Sequence, residues 1–149
     1  MTFTIKNPEH VIIESDVVIG DGTYIDGHNV NTIGVSIRAG SWIGPMCYMH
    51  GAGGVFIGHN VGIGPCVKII TSKHNLAGVG PIIHNGLTFA PVYIKDGADI
   101  GMGSVILPGV TIGEGTQIGA GSVVTHDIGD YLVAAGNPCI VLRGRSNEV

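Results

Sequence analysis

Seven histidines are the side chains best suited to move a proton near neutral pH: His10, His28, His50, His59, His74, His84 and His126. An imidazole with an unperturbed pKa of about 6.5 is a natural general base, and a positioned base accelerates a proton-transfer step about 10²–10⁴-fold. Such a base could take the proton of a hydroxyl or amine and make it a nucleophile. The three cysteines, Cys47, Cys66 and Cys139, form no C-x-x-C pair. They read as free thiols of a reducing compartment. Among the imidazoles His74 is singled out by its place, because it follows Ile69-Ile70-Thr71-Ser72-Lys73 where a regular pattern stops.

That pattern is a six-residue repeat. Ile94, Ile100, Ile106, Ile112, Ile118 and Val124 lie six apart without a break, and Ala98, Ser104, Val110, Thr116 and Ser122 follow the first five by four residues. Ile57, Ile63 and Ile69 continue it upstream, as do Ile13, Ile19, Ile25, Ile37, Ile43 and Met49, with Asn31 breaking the aliphatic position once. A period of six matches neither an α-helix nor a plain strand. It requires a short strand and a sharp corner in every unit, with the aliphatic residue pointing to an axis and the small residue fitting near the corner. The Gly that often follows the aliphatic residue is expected to supply a backbone conformation that a Cβ would penalise. Three units make one coil, and coils stack at strand spacing, about 4.8 Å. The reading is an all-β parallel β-helix forming a single domain over residues 1–149.

Two interruptions stand out. Gly51-Ala52-Gly53-Gly54 shifts the register by two residues between Met49 and Ile57. From about residue 75 to 91 the repeat vanishes, which predicts an extended loop, and loops on a rigid scaffold are where function concentrates. Past Val124 the hexad is lost again, which predicts a short C-terminal capping tail.

Composition agrees with the repeat and narrows the partners. Gly supplies 26 of 149 residues, against a usual share of about 7%. Yet 44% of residues are hydrophobic and only 12% charged, which excludes disorder. A formal net charge of −4 with no Lys/Arg run speaks against nucleic-acid binding. No apolar stretch approaches a membrane span, and residues 1–10 hold no apolar export core, so a cytoplasmic protein without membrane insertion is expected.

The blocks IGEGTQ, IGAGSV, ILPGVTIG, VVTHDI and AAGNPCIVLR, and IGPCVKIITSKH followed by a repeat-free loop and PVYI, resemble the hexapeptide-repeat acyltransferase superfamily. The nearest pattern is that of galactoside- and maltose-type sugar O-acetyltransferases. The resemblance covers essentially the whole chain. It implies a left-handed β-helix, assembly as a homotrimer with active sites at subunit interfaces, and transfer from acetyl-CoA to a hydroxyl or amine of a sugar or sugar nucleotide, in surface polysaccharide biosynthesis. It places the general base at His74. Coenzyme A would run along the C-terminal coils, touching Gly101, Met102, Gly119, Ala120, Thr125, His126, Pro138 and Arg143, the last at the 3′-phosphate. His50, Asn75 and His84 are candidates for the acceptor. No metal is implied. The sequence departs from the family pattern at Asp99, where a Trp is common, at His126, where a Lys is common, and at Ile140, where the tail has its first Arg.

Two other readings use the same fold. A γ-carbonic-anhydrase-like metalloenzyme needs three imidazoles on one ion, but His74 and His84 are ten apart and the expected H-x4-H pair is absent. A non-catalytic β-helix scaffold would leave His74 incidental. Fold alone does not separate the three.

Overall fold

The computed structural model describes residues 2–29 and 32–146. Short strands form three parallel sheets, wound as about six coils. In the first coil, strands Thr4–Lys6, Val11–Ile13 and Val18–Ile19 start the first, second and third faces of a prism. Every later coil repeats that order, so the first face stacks the strand Tyr24–Asp26 on Thr4–Lys6 and Tyr48–His50 on Tyr24–Asp26, all parallel. Three edges follow. The first edge joins the first and second faces, the second edge joins the second and third, and the third edge leads from the third face to the first face of the next coil.

The six-residue ladder is the core. Ile25, Ile37, Ile43, Met49, Ile63, Ile69, Ile106, Ile112, Ile118 and Val124 have no exposed surface. Burying a side chain of this size stabilises by about 1.5–3 kcal/mol, and each is paired in register with its equivalent in at least one neighbouring coil. The small position does more than fit. Thr23 Oγ1 donates to Gly44 O at 2.8 Å and accepts from Cys47 N at 3.1 Å. Ser41 Oγ donates to Gly58 O at 2.9 Å and accepts from Val61 N at 3.0 Å. The buried hydroxyls are thus fully paired and tie each coil to the next.

The structure revises the role of the Gly after the aliphatic residue. Gly101 is not left-handed; a Cβ there would lie 2.4 Å from Ala120 N in the next coil. The constraint is the closeness of stacked backbones. Left-handed residues do turn the second and third edges, but later in each corner, as at Gly97 (φ 68°) and Gly103 (φ 72°).

Three boundaries also move. Ile25 and Ile37 lie on adjacent faces, so the twelve-residue interval turns one corner, not two. Asn31 itself lies outside the described residues. The loop expected from residue 75 begins earlier, because Ser72–His74 pairs antiparallel with Leu87–Phe89, making a hairpin arm. The tail does not leave the solenoid at Val124. Ile128 bridges in parallel to Ile112, and Leu132–Gly136 pairs in parallel with Gln117–Ile118. Only then does Cys139–Gly144 fold back antiparallel and cap the stack.

Candidate active site

Every departure from the hexad falls on the first edge. The interval between inward residues across that edge is eight for Ile5 to Ile13, twelve for Ile25 to Ile37, eight for Met49 to Ile57 and twenty-five for Ile69 to Ile94. It returns to six for Ile106 to Ile112 and tightens to four for Val124 to Ile128. The same edge carries His10, His28, His50, His74, His84 and His126; His59 alone lies on the second edge.

His74 ends the outgoing strand of the hairpin arm and is half-buried. Its Nδ1 faces Asn85 O at 3.4 Å, the long end of hydrogen-bond reach. A carbonyl only accepts, so this contact selects the tautomer with the proton on Nδ1 and leaves the basic lone pair on Nε2. Asn85 is itself held, its Nδ2 donating to Asn75 O at 2.6 Å, while Asn75 N donates to Gly86 O at 2.8 Å. Asn75 and His84 thus lie in the same arm as His74, both exposed.

One coil earlier, His50 is half-buried at the root of the arm. Thr71, fully buried, lies between the two coils: Oγ1 donates to His50 O at 2.6 Å, accepts from Gly53 N at 2.8 Å, and lies 3.3 Å from His50 Nδ1. Burial lowers the His50 pKa below the usual imidazole value, with Asp26 opposing that shift and His28 adding to it. Asp26 pairs with His50 in register and is held by Asn7 Nδ2 at 2.9 Å, His28 N at 3.0 Å and Lys6 Nζ at 3.6 Å. The sequence reading missed this Asp26–His50–Thr71 link, because its members belong to three different coils.

The expected donor residues divide between edges. Met102, Ala120 and Pro138 occupy successive corners of the third edge, where Gly121 N donates to Met102 O at 2.8 Å. Met102 is exposed, and Gly101 and Gly119 pack the turns beneath. Thr125 and His126 lie instead on the first edge, two coils beyond His74, and hydrogen-bond to each other. Arg143 is on the capping strand of the third face, beside a hollow shared with Asp99, Gln117 and Arg145, and among the described residues its Nη1 donates to Gly144 O. Within one chain, then, the third-edge residues and His74 are separated by the whole first face, about 15–20 Å of extended chain. No metal cluster is formed by His, Cys, Asp or Glu among the described residues, and none of the described helices is long and apolar enough to cross a membrane.

Known proteins share both the repeat and the coil. The bacterial transferase hexapeptide (six repeats) signature matches residues 91–126. Residues 91–126 of this chain thus carry the hexapeptide repeats of that transferase family. The galactoside O-acetyltransferase of Lactococcus lactis is 44% identical over 91 residues, which is 60% of this chain and 42% of that protein. Relatives in Schizosaccharomyces pombe and Saccharomyces cerevisiae are matched over 45% and 62% of their lengths, so the chain spans less than two thirds of each of these relatives. Among solved structures, a variant of AntD, an N-acyltransferase from Bacillus cereus in complex with dTDP-4-amino-4,6-dideoxyglucose and coenzyme A, superimposes with a TM-score of 0.85 at 25% identity, covering 98% of this chain and 79% of that one. The maltose O-acetyltransferase of Clostridium difficile gives 0.64 at 28% identity, over 98% and 68%.

Proposed function

We propose that this hexapeptide-repeat protein transfers an acetyl group from acetyl-CoA to a hydroxyl, or in second place an amine, of a sugar or sugar nucleotide, with His74 as general base. The observation that carries the reading is the orientation of His74, whose Nδ1 is turned to a backbone carbonyl of its own arm. Nε2 takes the acceptor proton as the acceptor oxygen or nitrogen bonds to the thioester carbonyl carbon. The tetrahedral oxyanion collapses, the C–S bond breaks, and the imidazolium returns its proton to the leaving thiolate. The similarity to galactoside and maltose O-acetyltransferases, and to an N-acyltransferase crystallised with an amino-sugar nucleotide and coenzyme A, supports this class of donor and acceptor. Synthesis of surface polysaccharide, in the cytoplasm, is the setting we assign to it.

The donor lies along the third edge of a neighbouring subunit, in a homotrimer whose sites form between copies. Two features support this. Met102, Ala120 and Pro138 of one chain are a full face away from its own His74, whereas a second copy could bring its third edge against this first edge. The hairpin arm also exposes Leu76, Val79, Ile82 and Ile83, which a neighbour would cover. The third-edge turns fit an extended pantetheine arm, with open backbone at Gly103 and Gly121, where an added Cβ would meet nothing within 4 Å. Thr125 and His126 lie on the same edge as His74, and Arg143 offers one cation for a phosphate. His50, Asn75 and His84 are assigned to the acceptor side.

The decisive experiment is thiol release from acetyl-CoA with a panel of sugars and nucleotide sugars. His74→Ala should lower kcat about 10²–10⁴-fold, and Ala120→Trp should block the donor. Mixing the two inactive variants under conditions that exchange subunits should restore partial turnover. Turnover unaffected by His74→Ala sinks the base assignment; turnover insensitive to Ala120→Trp sinks the donor path. Absence of any acceptor-stimulated release would favour the scaffold reading.

A further inference from the structure

On the second face, between the first and second edges, the outward side chains of successive coils form the column Ile12, Ser36, Phe56, Tyr93 and Thr111. Phe56 and Tyr93 stack, with ring centroids 5.1 Å apart and planes 18° from parallel. That separation is close to the strand spacing, so both rings stand on edge across the solenoid axis. The outer face of Phe56 therefore looks toward Ser36, whose side chain is too short to cover it, and the outer face of Tyr93 looks toward Thr111. Tyr93 is 44% exposed.

A hollow runs alongside this column, lined by both rings, by Ser36 and Arg38 on one side and by Lys95, Asp96 and Glu114 on the other. Its floor is Gly58, where a Cβ would meet Asp96 Oδ1 at 2.3 Å. The basic side chains of the lining already have carboxylate partners: Arg38 Nη1 contacts Glu14 Oε1 at 3.0 Å, Lys95 Nζ is 3.9 Å from Asp130 Oδ1, and His59 lies 3.6 Å from Glu14 Oε2 and 3.5 Å from Asp96 Oδ1. The wall therefore carries donors and acceptors of both signs without a surplus of positive charge.

We infer that this hollow is a second, non-catalytic sugar-binding site, which takes one neutral pyranose unit of a glycan. The apolar C–H face of a pyranose would extend the Phe56–Tyr93 stack by one step, in the space left by Ser36, and its hydroxyls would reach the guanidinium of Arg38 and the carboxylates of Asp96 and Glu114. Among the described residues a phosphate has no unpaired cation to bind here, which disfavours a nucleotide. The inference stands apart from the proposed transfer reaction, because the hollow is lined by second-face and second-edge residues and not by His74 or its arm, and it needs no acyl donor.

The test is ligand-observed saturation-transfer NMR on the full chain, without acetyl-CoA, using methyl hexopyranosides and their α- and β-linked disaccharides. At least one pyranoside should bind. Phe56→Val and Tyr93→Val keep β-branched residues on the strand and should weaken binding about tenfold or more, while Tyr93→Phe should retain it. His74→Ala should leave this binding unchanged, and Tyr93→Val should leave turnover of a small acceptor within about twofold. The inference is overturned if no pyranoside binds. It is equally overturned if dTMP or UMP binds in place of sugars, if binding depends on His74 rather than on Tyr93, or if Tyr93→Val changes the oligomeric state, which would mean that another copy covers the face.

Discussion

The first and third edges of this solenoid are built from the same repeat and behave in opposite ways. On the third edge each of the first five coils turns in the same short corner, from Gly20–Gly22 to Gly119–Gly121. Stacked backbones there are too close for a side chain: a Cβ at Gly44 would lie 2.6 Å from Pro65 N. On the first edge the corner length varies from four residues to twenty-five, and six of the seven histidines gather. A solenoid needs regularity where its coils bear on one another, but an insertion at one corner adds only a slowly growing loop-closure cost. Confining every insertion to one edge lets chemistry accumulate there without disturbing the ladder.

That contrast can be broken in several ways. The largest effect expected is on chemistry alone: His74→Ala should cut kcat by two to four orders of magnitude, while the thermal midpoint of the variant, followed by circular dichroism, stays with the parent. A large loss of stability would mean that the arm is part of the core after all. In the ladder the reverse should hold. Ile106→Ala removes a fully buried side chain and should cost about 2–5 kcal/mol in denaturant titrations, with no direct contact to His74. On the regular edge, Gly101→Ala forces a methyl against Ala120 N and should cost about 1–3 kcal/mol; an unchanged midpoint would show that the coils can part freely there.

The smallest effect concerns His50. Its pKa is lowered by burial, so the unfolded chain binds more protons than the folded one as pH falls below about 6.5. Stability should therefore decline as pH drops from about 6.5 toward the lowered folded value, then level off with respect to this group. His50→Gln should flatten that decline. Unchanged pH dependence in this window would show that Asp26 offsets burial completely.

Much of the fold was legible because it is written with a period. Ile94 to Val124 recur every six residues, and the structure buries each of them. The break after His74 and the two-residue shift at Gly51–Gly54 were equally plain, since a missing aliphatic residue interrupts a strict ladder. Less visible were Ile128 and Ala134, which complete the sixth coil at spacings of four and six. A tightened corner looks, in sequence, like the end of the repeat. The interval from Ile25 to Ile37 misled for the opposite reason: twelve is two hexads, and only strand pairing shows that one of them turns no corner.

For the site, residue type and position at the end of the ladder singled out His74, and motif resemblance singled out Met102, Ala120, Pro138 and Arg143. The sequence by itself determined the period, the core and the place where the chain leaves the coil, because each depends on which residues can be buried six apart. Which residues share an edge depends on how many corners lie between them, and insertions of unequal length erase that count from the linear order. Only the tertiary structure could therefore bring Asp26, His50 and Thr71 together, turn His74 toward Asn85, and set the third-edge corners a full face away from the imidazole they are proposed to serve.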